Sequence, residues 1–87
     1  MNTEKTFADR LKELRNIRNY TQEELGKITN ISVQSIRRYE QGRLNEEPSA
    51  YNLLQLAKAL DVTPEYLLIG DNNMTSYTEA IKRELKQ

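Results

Sequence analysis

Residues 21–42 have the spacing of two short helices joined by a tight turn, and this spacing constrains the fold more than any other feature. Thr21, followed three residues later by Glu24, is the capping-box pattern that begins a helix. Asn30 tolerates the left-handed conformation at a helix C-terminus, and Ser32 is a second N-cap. Two helices that cross steeply around a turn of three to four residues are typical of a helix-turn-helix.

The apolar positions of this segment support the same interpretation. Leu25 and Ile28 form a short apolar stripe on the first helix, and Ile36 with Tyr39 forms one on the second. Gly26 in mid-helix costs about 1 kcal/mol relative to alanine. We therefore expect the second helix to cross close over this glycine.

Capping residues and apolar periodicity predict three further helices around this pair. In total we expect helices over about 6–19, 22–29, 33–41, 50–60 and 64–69. The predicted inward positions are Phe7, Leu11, Leu14, either Ile17 or Arg18, Tyr20, Leu53, Leu54, Ala57, Leu60, Tyr66, Leu67 and Leu68. The expected fold is all-α.

Composition excludes several kinds of site. The chain contains neither Cys nor His, which excludes a disulfide framework, a thiolate zinc site and the commonest general base. The adjacent glutamates at 23–24 and 46–47 do not converge and indicate solvated faces. We expect no cofactor, no bound metal and no enzymatic activity. The sequence contains neither a membrane-length apolar run nor a signal-peptide pattern, so a soluble cytoplasmic protein is expected.

The charge is distributed unevenly although the net charge is zero. Residues 1–45 hold nine Lys or Arg against six Asp or Glu, a net of +3, and residues 46–87 hold four against seven, a net of −3. The basic half contains the helix pair, with Arg37, Arg38 and Arg43 in and after its second helix. Charge alone favours solvated surface arginines, whereas their position in the helix pair favours a nucleic-acid contact.

The chain resembles the lambda-repressor-like (XRE) family of DNA-binding domains. The resemblance covers about residues 7–70 and includes LKELRNIRN, TQEEL, YEQG and LLQLAKALDVTPEYLL. It implies a five-helix domain in which Arg15 pairs with Glu40. The sequence departs from the family pattern at Thr29, where an apolar residue is common, and at Asn30, where Gly is common. The loop after Gly42 is also slightly long.

The resemblance also implies which residues meet DNA. Gln34 can donate to and accept from adenine, Arg38 can bind guanine or a phosphate, and Val33 suits a thymine methyl. Ser32 also falls where base contacts occur in the family, and Arg37 can reach a base or the backbone. The other positions are expected to contact the backbone or to bring the helix close to it. The full set is Gln22, Ser32, Val33, Gln34, Ser35, Arg37, Arg38, Arg43 and Asn45.

The C-terminal residues form a separate unit in this interpretation. We assign residues 1–70 to the DNA-binding domain and 71–87 to a linker followed by a helix. Tyr77, Ile81 and Leu85 recur at intervals of four residues and predict an amphipathic helix. Its stripe could fold back on the domain, form a dimer contact or bind another protein.

These features predict a transcriptional regulator that binds double-stranded DNA in a sequence-specific way. The hypothesis is a repressor that binds an inverted repeat as a homodimer. The alternative is a protein-interaction module, such as an antitoxin, that holds its partner through the C-terminal helix. No membrane contact and no small-molecule effector is indicated.

Overall fold

Five helices form the regular structure of residues 5–42 and 47–70, which are the residues that the computed structural model describes. They are α1 (Phe7–Ile17), α2 (Gln22–Thr29), α3 (Val33–Gln41), α4 (Ala50–Leu60) and α5 (Pro64–Leu68). The predicted five-helix, all-α class is confirmed over these residues. The predicted C-terminal helix with Tyr77, Ile81 and Leu85, and the predicted DNA contacts Arg43 and Asn45, lie outside them.

Each of the five helices begins at a serine or threonine. The side-chain oxygen of this residue accepts a hydrogen bond from a backbone amide three residues on, which satisfies one of the free donors of the first turn. The N-caps are Thr6, Thr21, Ser32, Ser49 and Thr63. Local sequence therefore accounts for where the helices start.

The ends of α2, α3 and α4 share a left-handed residue. Asn30 has φ 59°, Gly42 has φ 67° and Asp61 has φ 60°. Only α3 ends in glycine, the residue best suited to this conformation. The asparagine predicted to end α2 is in the predicted conformation.

All five helices contribute to one hydrophobic core. The side chains with no exposed surface are Leu11, Leu25, Ile36, Leu56, Leu60 and Leu67. Phe7 lies at the edge of the core, where its ring meets that of Tyr39 edge-on at 5.9 Å between centroids. Tyr20 packs half-buried against the same core, as predicted.

Four predicted core or stripe positions are wrong because they lie at the margin of a buried face. Ile17, Ile28 and Leu54 are 66%, 53% and 49% exposed, and Arg18 is exposed as well. In α4 the buried face passes through Leu56 instead of Leu54.

In α2 the residue after Ile28 is buried in its place. Thr29 is buried, and its hydroxyl donates to the carbonyl of Leu25 at 2.7 Å. This bond lets a polar residue occupy a position where the family commonly has an apolar one.

Arg10 is a buried residue that the sequence interpretation missed. Its guanidinium donates to three backbone carbonyls, those of Lys5 at 2.6 Å, Leu67 at 2.9 Å and Leu68 at 2.7 Å. The last two lie at the end of α5, where helical carbonyls lack partners in their own helix. Arg10 therefore joins α1 to the end of α5.

None of these five helices is both long and apolar enough to cross a membrane.

Candidate nucleic-acid interface

The turn between α2 and α3 explains the glycine in the middle of α2. A Cβ at Gly26 would lie 2.8 Å from the carbonyl oxygen of Ile31 and 3.7 Å from the backbone nitrogen of Val33. The close neighbour is therefore the backbone of the turn and of the first residue of α3. Any larger side chain at Gly26 would move α3 relative to α2.

Helix α3 separates a buried face from an exposed one. Ile36, Tyr39 and Glu40 are buried. At 100° per residue, the positions 33, 34, 37, 38 and 41 fill the opposite arc of about 140°. Four of these five are exposed polar or charged residues, and Val33 is half-buried.

This outward face gathers predicted and unpredicted residues. It contains Val33, Gln34, Arg37 and Arg38 of the predicted DNA-binding set, together with Gln41, which the prediction missed. The helical period alone would have found Gln41. An outward row of amide and guanidinium groups can donate and accept hydrogen bonds at base edges and donate to phosphates.

The start of α3 is held by two serines. The Ser32 hydroxyl accepts from the Ser35 amide at 3.1 Å and lies 3.0 Å from the Ser35 hydroxyl. Because the Ser32 hydroxyl caps the helix, it is less available than the Ser35 hydroxyl for a contact outside the chain.

A buried ion pair connects α1 to the end of α3. Arg15 donates from Nε to Glu40 Oε2 at 2.7 Å and from its Nη2 to Oε1 at 3.0 Å. The side chains of Arg15 and Glu40 are 14% and 3% exposed. The predicted pair is thus present, in the two-bond geometry that arginine and carboxylate favour.

The same pair extends to the start of α2. Arg15 also donates to the carbonyl of Tyr20 at 2.8 Å, and Glu40 Oε1 accepts from the Gln22 side-chain amide at 3.0 Å. The hydrogen bonds that Arg15 donates to Glu40 raise the pKa of Arg15 above its ordinary value. Burial of the guanidinium acts in the opposite direction, and the negative charge of Glu40 adds to the increase. The network therefore fixes the first residue of α2 relative to the last turn of α3.

A second ion pair crosses the exposed side of the two helices. Arg37 on α3 lies 3.3 Å from the carboxylate of Glu23 on α2, and both side chains are exposed. The sequence interpretation placed Glu23 on a solvated face and did not anticipate its partner. Nothing in the local sequence indicates this contact, because the two residues are fourteen positions apart.

Comparison with known proteins identifies the family of this helix pair. A family described as helix-turn-helix matches residues 11–67. The chain belongs to this family, the XRE type of helix-turn-helix domain. The helix-turn-helix assignment made from the sequence is therefore confirmed.

Two sequence relatives of this helix-turn-helix domain are named regulators. The repressor protein C2 of Salmonella phage P22 is 38% identical over 76 residues, which are 87% of this chain and 34% of that protein. The HTH-type transcriptional regulator DicA of Escherichia coli is 34% identical over 68 residues, or 78% of this chain and 49% of DicA. The chain thus spans a third to a half of the length of the curated relatives it matches.

A solved structure shares the fold closely. The P22 c2 repressor in complex with a synthetic operator has a TM-score of 0.71 and 37% identity, covering 78% of this chain and 100% of that one.

Proposed function

We propose that this helix-turn-helix chain is a sequence-specific, double-stranded DNA-binding transcriptional repressor. The observation that carries the proposal is the outward face of α3, where polar and charged side chains stand opposite the buried Ile36 and Tyr39. A helix of this kind fits the major groove, where each base pair presents a distinct pattern of donors and acceptors. The P22 repressor that shares the fold was solved with a synthetic operator, which supports the same function.

The proposed base contacts follow from the side-chain chemistry of that face. Gln34 is exposed at the second position of α3 and can form two hydrogen bonds with adenine. Arg38, also exposed, can bind guanine through two bonds or hold a phosphate. Val33 has no polar side-chain atom, so its proposed partner is a thymine methyl.

Gln22 is proposed to contact the phosphate backbone. One N–H of its amide group donates to Glu40, which leaves the second N–H for a phosphate oxygen. The first residues of a helix also favour phosphate through their free backbone amides. In this proposal the Arg15–Glu40 pair orients Gln22, and Arg43 and Asn45 add phosphate contacts from the following loop.

We further propose that residues 1–70 bind as one half of a homodimer on an inverted repeat. One domain of this size covers limited DNA surface, and two half-sites raise both affinity and specificity. Residues 71–87 are the proposed site of a dimer or partner contact.

Selection from a randomised duplex library at near-physiological salt tests the proposed function. The expected result is enrichment of an inverted repeat with half-site centres about 34 Å apart. Retention of duplexes without enrichment would contradict sequence-specific binding and leave only non-specific affinity for DNA.

The selected site then allows the recognition helix to be tested directly. Gln34→Ala should relax base preference at one position and cost about 1–3 kcal/mol. Arg43→Ala should weaken binding to all sequences about equally and flatten the salt dependence. If Gln34→Ala binds every sequence as the wild type does, the assignment of α3 is wrong.

A further inference from the structure

We propose that Glu23 is a specificity-determining residue, which restrains Arg37 from binding phosphate and so lowers affinity for unrelated DNA. This inference rests on the proposed function. Its structural basis is the contact between α2 and α3, in which the Glu23 carboxylate lies 3.3 Å from the Arg37 guanidinium.

The proposed effect of Glu23 on DNA binding comes from its position beside the predicted DNA-binding residues and not from a contribution of the ion pair to folding. Both side chains are exposed, so the pair contributes little to folding stability. Glu23 is, however, the residue next to Gln22, the proposed phosphate contact, and Arg37 lies on the outward face of α3. A carboxylate at this place competes directly with DNA phosphates for the arginine.

A free arginine at this position would add most to the affinity for unrelated DNA. Non-specific binding comes almost entirely from neutralised phosphates, and a flexible arginine can reach a phosphate in any register of the protein on DNA. In the specific complex the register is set by base contacts such as those of Gln34, so Arg37 can bind a phosphate only where that register places one. The carboxylate of Glu23 therefore opposes non-specific binding more than specific binding.

Glu23→Gln removes the charge that holds Arg37. Glu24, and not Glu23, forms the capping box of α2, so the variant keeps the side-chain bond that begins the helix. The matched control is Glu13→Gln, which removes another exposed carboxylate that is paired with a cation, here Lys5 at 2.8 Å. The control corrects for the change in net charge.

The measurement is the affinity of each variant of residues 1–87 for the selected operator and for an unrelated duplex, between 50 and 200 mM salt. For the unrelated duplex, Glu23→Gln should steepen the slope of log K against log salt by about 0.9, the value for one added phosphate contact. The ratio of the Glu23→Gln affinity to the wild-type affinity for this duplex should then fall about three- to fourfold from 50 to 200 mM salt. The ratio of operator affinity to unrelated affinity should fall, whereas Glu13→Gln should leave it unchanged.

A double variant tests whether Arg37 is the group that Glu23 restrains. With Arg37→Gln already present, adding Glu23→Gln should no longer steepen the slope. An undiminished effect in that background would mean that Glu23 repels DNA directly and would overturn the proposal. Two other results would overturn the proposal. One is an equal change of the salt slope in Glu23→Gln and Glu13→Gln; the other is a ratio of operator affinity to unrelated affinity that does not fall in Glu23→Gln.

The wild-type protein separates failure of this proposal from failure of the proposed function. A wild type that prefers no selected site contradicts specific binding, whatever the variants do. A wild type with a preferred site and a Glu23→Gln variant that behaves identically contradicts only the role of Glu23. If neither protein retains any duplex at 50 mM salt, both proposals fail.

Discussion

The two halves of helix α1 each place an arginine against another helix, and the two charges are neutralised in different ways. Arg10 donates to three backbone carbonyls, two of them at the end of α5. Arg15 donates to the carboxylate of Glu40 on α3 and to one carbonyl. One arginine is balanced by dipoles, and the other by a full opposite charge.

This difference determines what each substitution would leave behind. Loss of Arg10 leaves three carbonyl dipoles without this donor, two of them at the end of α5. Loss of Arg15 leaves the almost fully buried carboxylate of Glu40 without its cation, which is far more costly than an unpaired dipole. The two ends of α1 should therefore differ in sensitivity although both rely on an arginine.

Arg15→Met is expected to have the largest effect. It should lower the free energy of unfolding by about 3 kcal/mol, because the buried carboxylate of Glu40 loses the cation that it is paired with. Urea unfolding measures the change, and Arg15→Met with Glu40→Gln is the matched double variant. The double variant should recover part of the loss; a double variant as unstable as the single one would show that the charge on Glu40 is not the cause.

Arg10→Met should cost less, about 2 kcal/mol, because both variants remove three hydrogen bonds but only Arg15→Met leaves a buried charge without its partner. The same unfolding experiment applies. Arg10 and Arg15 share no hydrogen-bond partner, so the two losses should add in the double variant within about 0.5 kcal/mol. A larger loss for Arg10→Met than for Arg15→Met would reverse the comparison.

Gly70→Ala tests the contact between Arg10 and the residues after α5. A Cβ on Gly70 would overlap the Arg10 guanidinium, and the residue has φ 66°. The left-handed conformation alone should cost about 1–2 kcal/mol, with displacement of Arg10 in addition. In an Arg10→Met background only the conformational cost should remain; equal losses in both backgrounds, by thermal unfolding, would show that Arg10 and Gly70 do not interact.

The smallest expected effect concerns the start of α1. The Thr6 backbone amide donates to the Asp9 carboxylate, which lowers the pKa of Asp9 below its ordinary 3.8. Its stabilising contribution is therefore present above that value and is lost as the pH falls through the lower pKa of the folded state. Asp9→Asn should lack this part of the acid dependence, measured as unfolding free energy between pH 5 and pH 2; an unchanged profile would show that this carboxylate does not contribute.

Much of the helix-turn-helix could be predicted from the sequence because its signals are local. Thr21 with Glu24, Asn30 and Ser32 act through hydrogen bonds or backbone angles within a few residues, and the structure places each as expected. The pairing of Arg15 with Glu40 came from the resemblance to a family, since neither residue alone specifies its partner. The roles assigned to Gln34 and Arg38 stay predictions, because they depend on contacts with bases and not on contacts within the chain.

Other features were decided only when the helices packed together. Ile17, Ile28 and Leu54 match an apolar stripe in sequence, yet they are exposed because none of the helices α1 to α5 covers them. Arg10 has the opposite outcome, since a charged residue became buried where the end of α5 offered carbonyls 57 and 58 positions away.

Glu23 and Arg37 likewise became partners only through the approach of α2 to α3. Caps and turns depend on atoms close along the chain, so the sequence contains their cause. Burial and long-range pairing depend on which surfaces meet, and this is determined by the folded arrangement of all the helices.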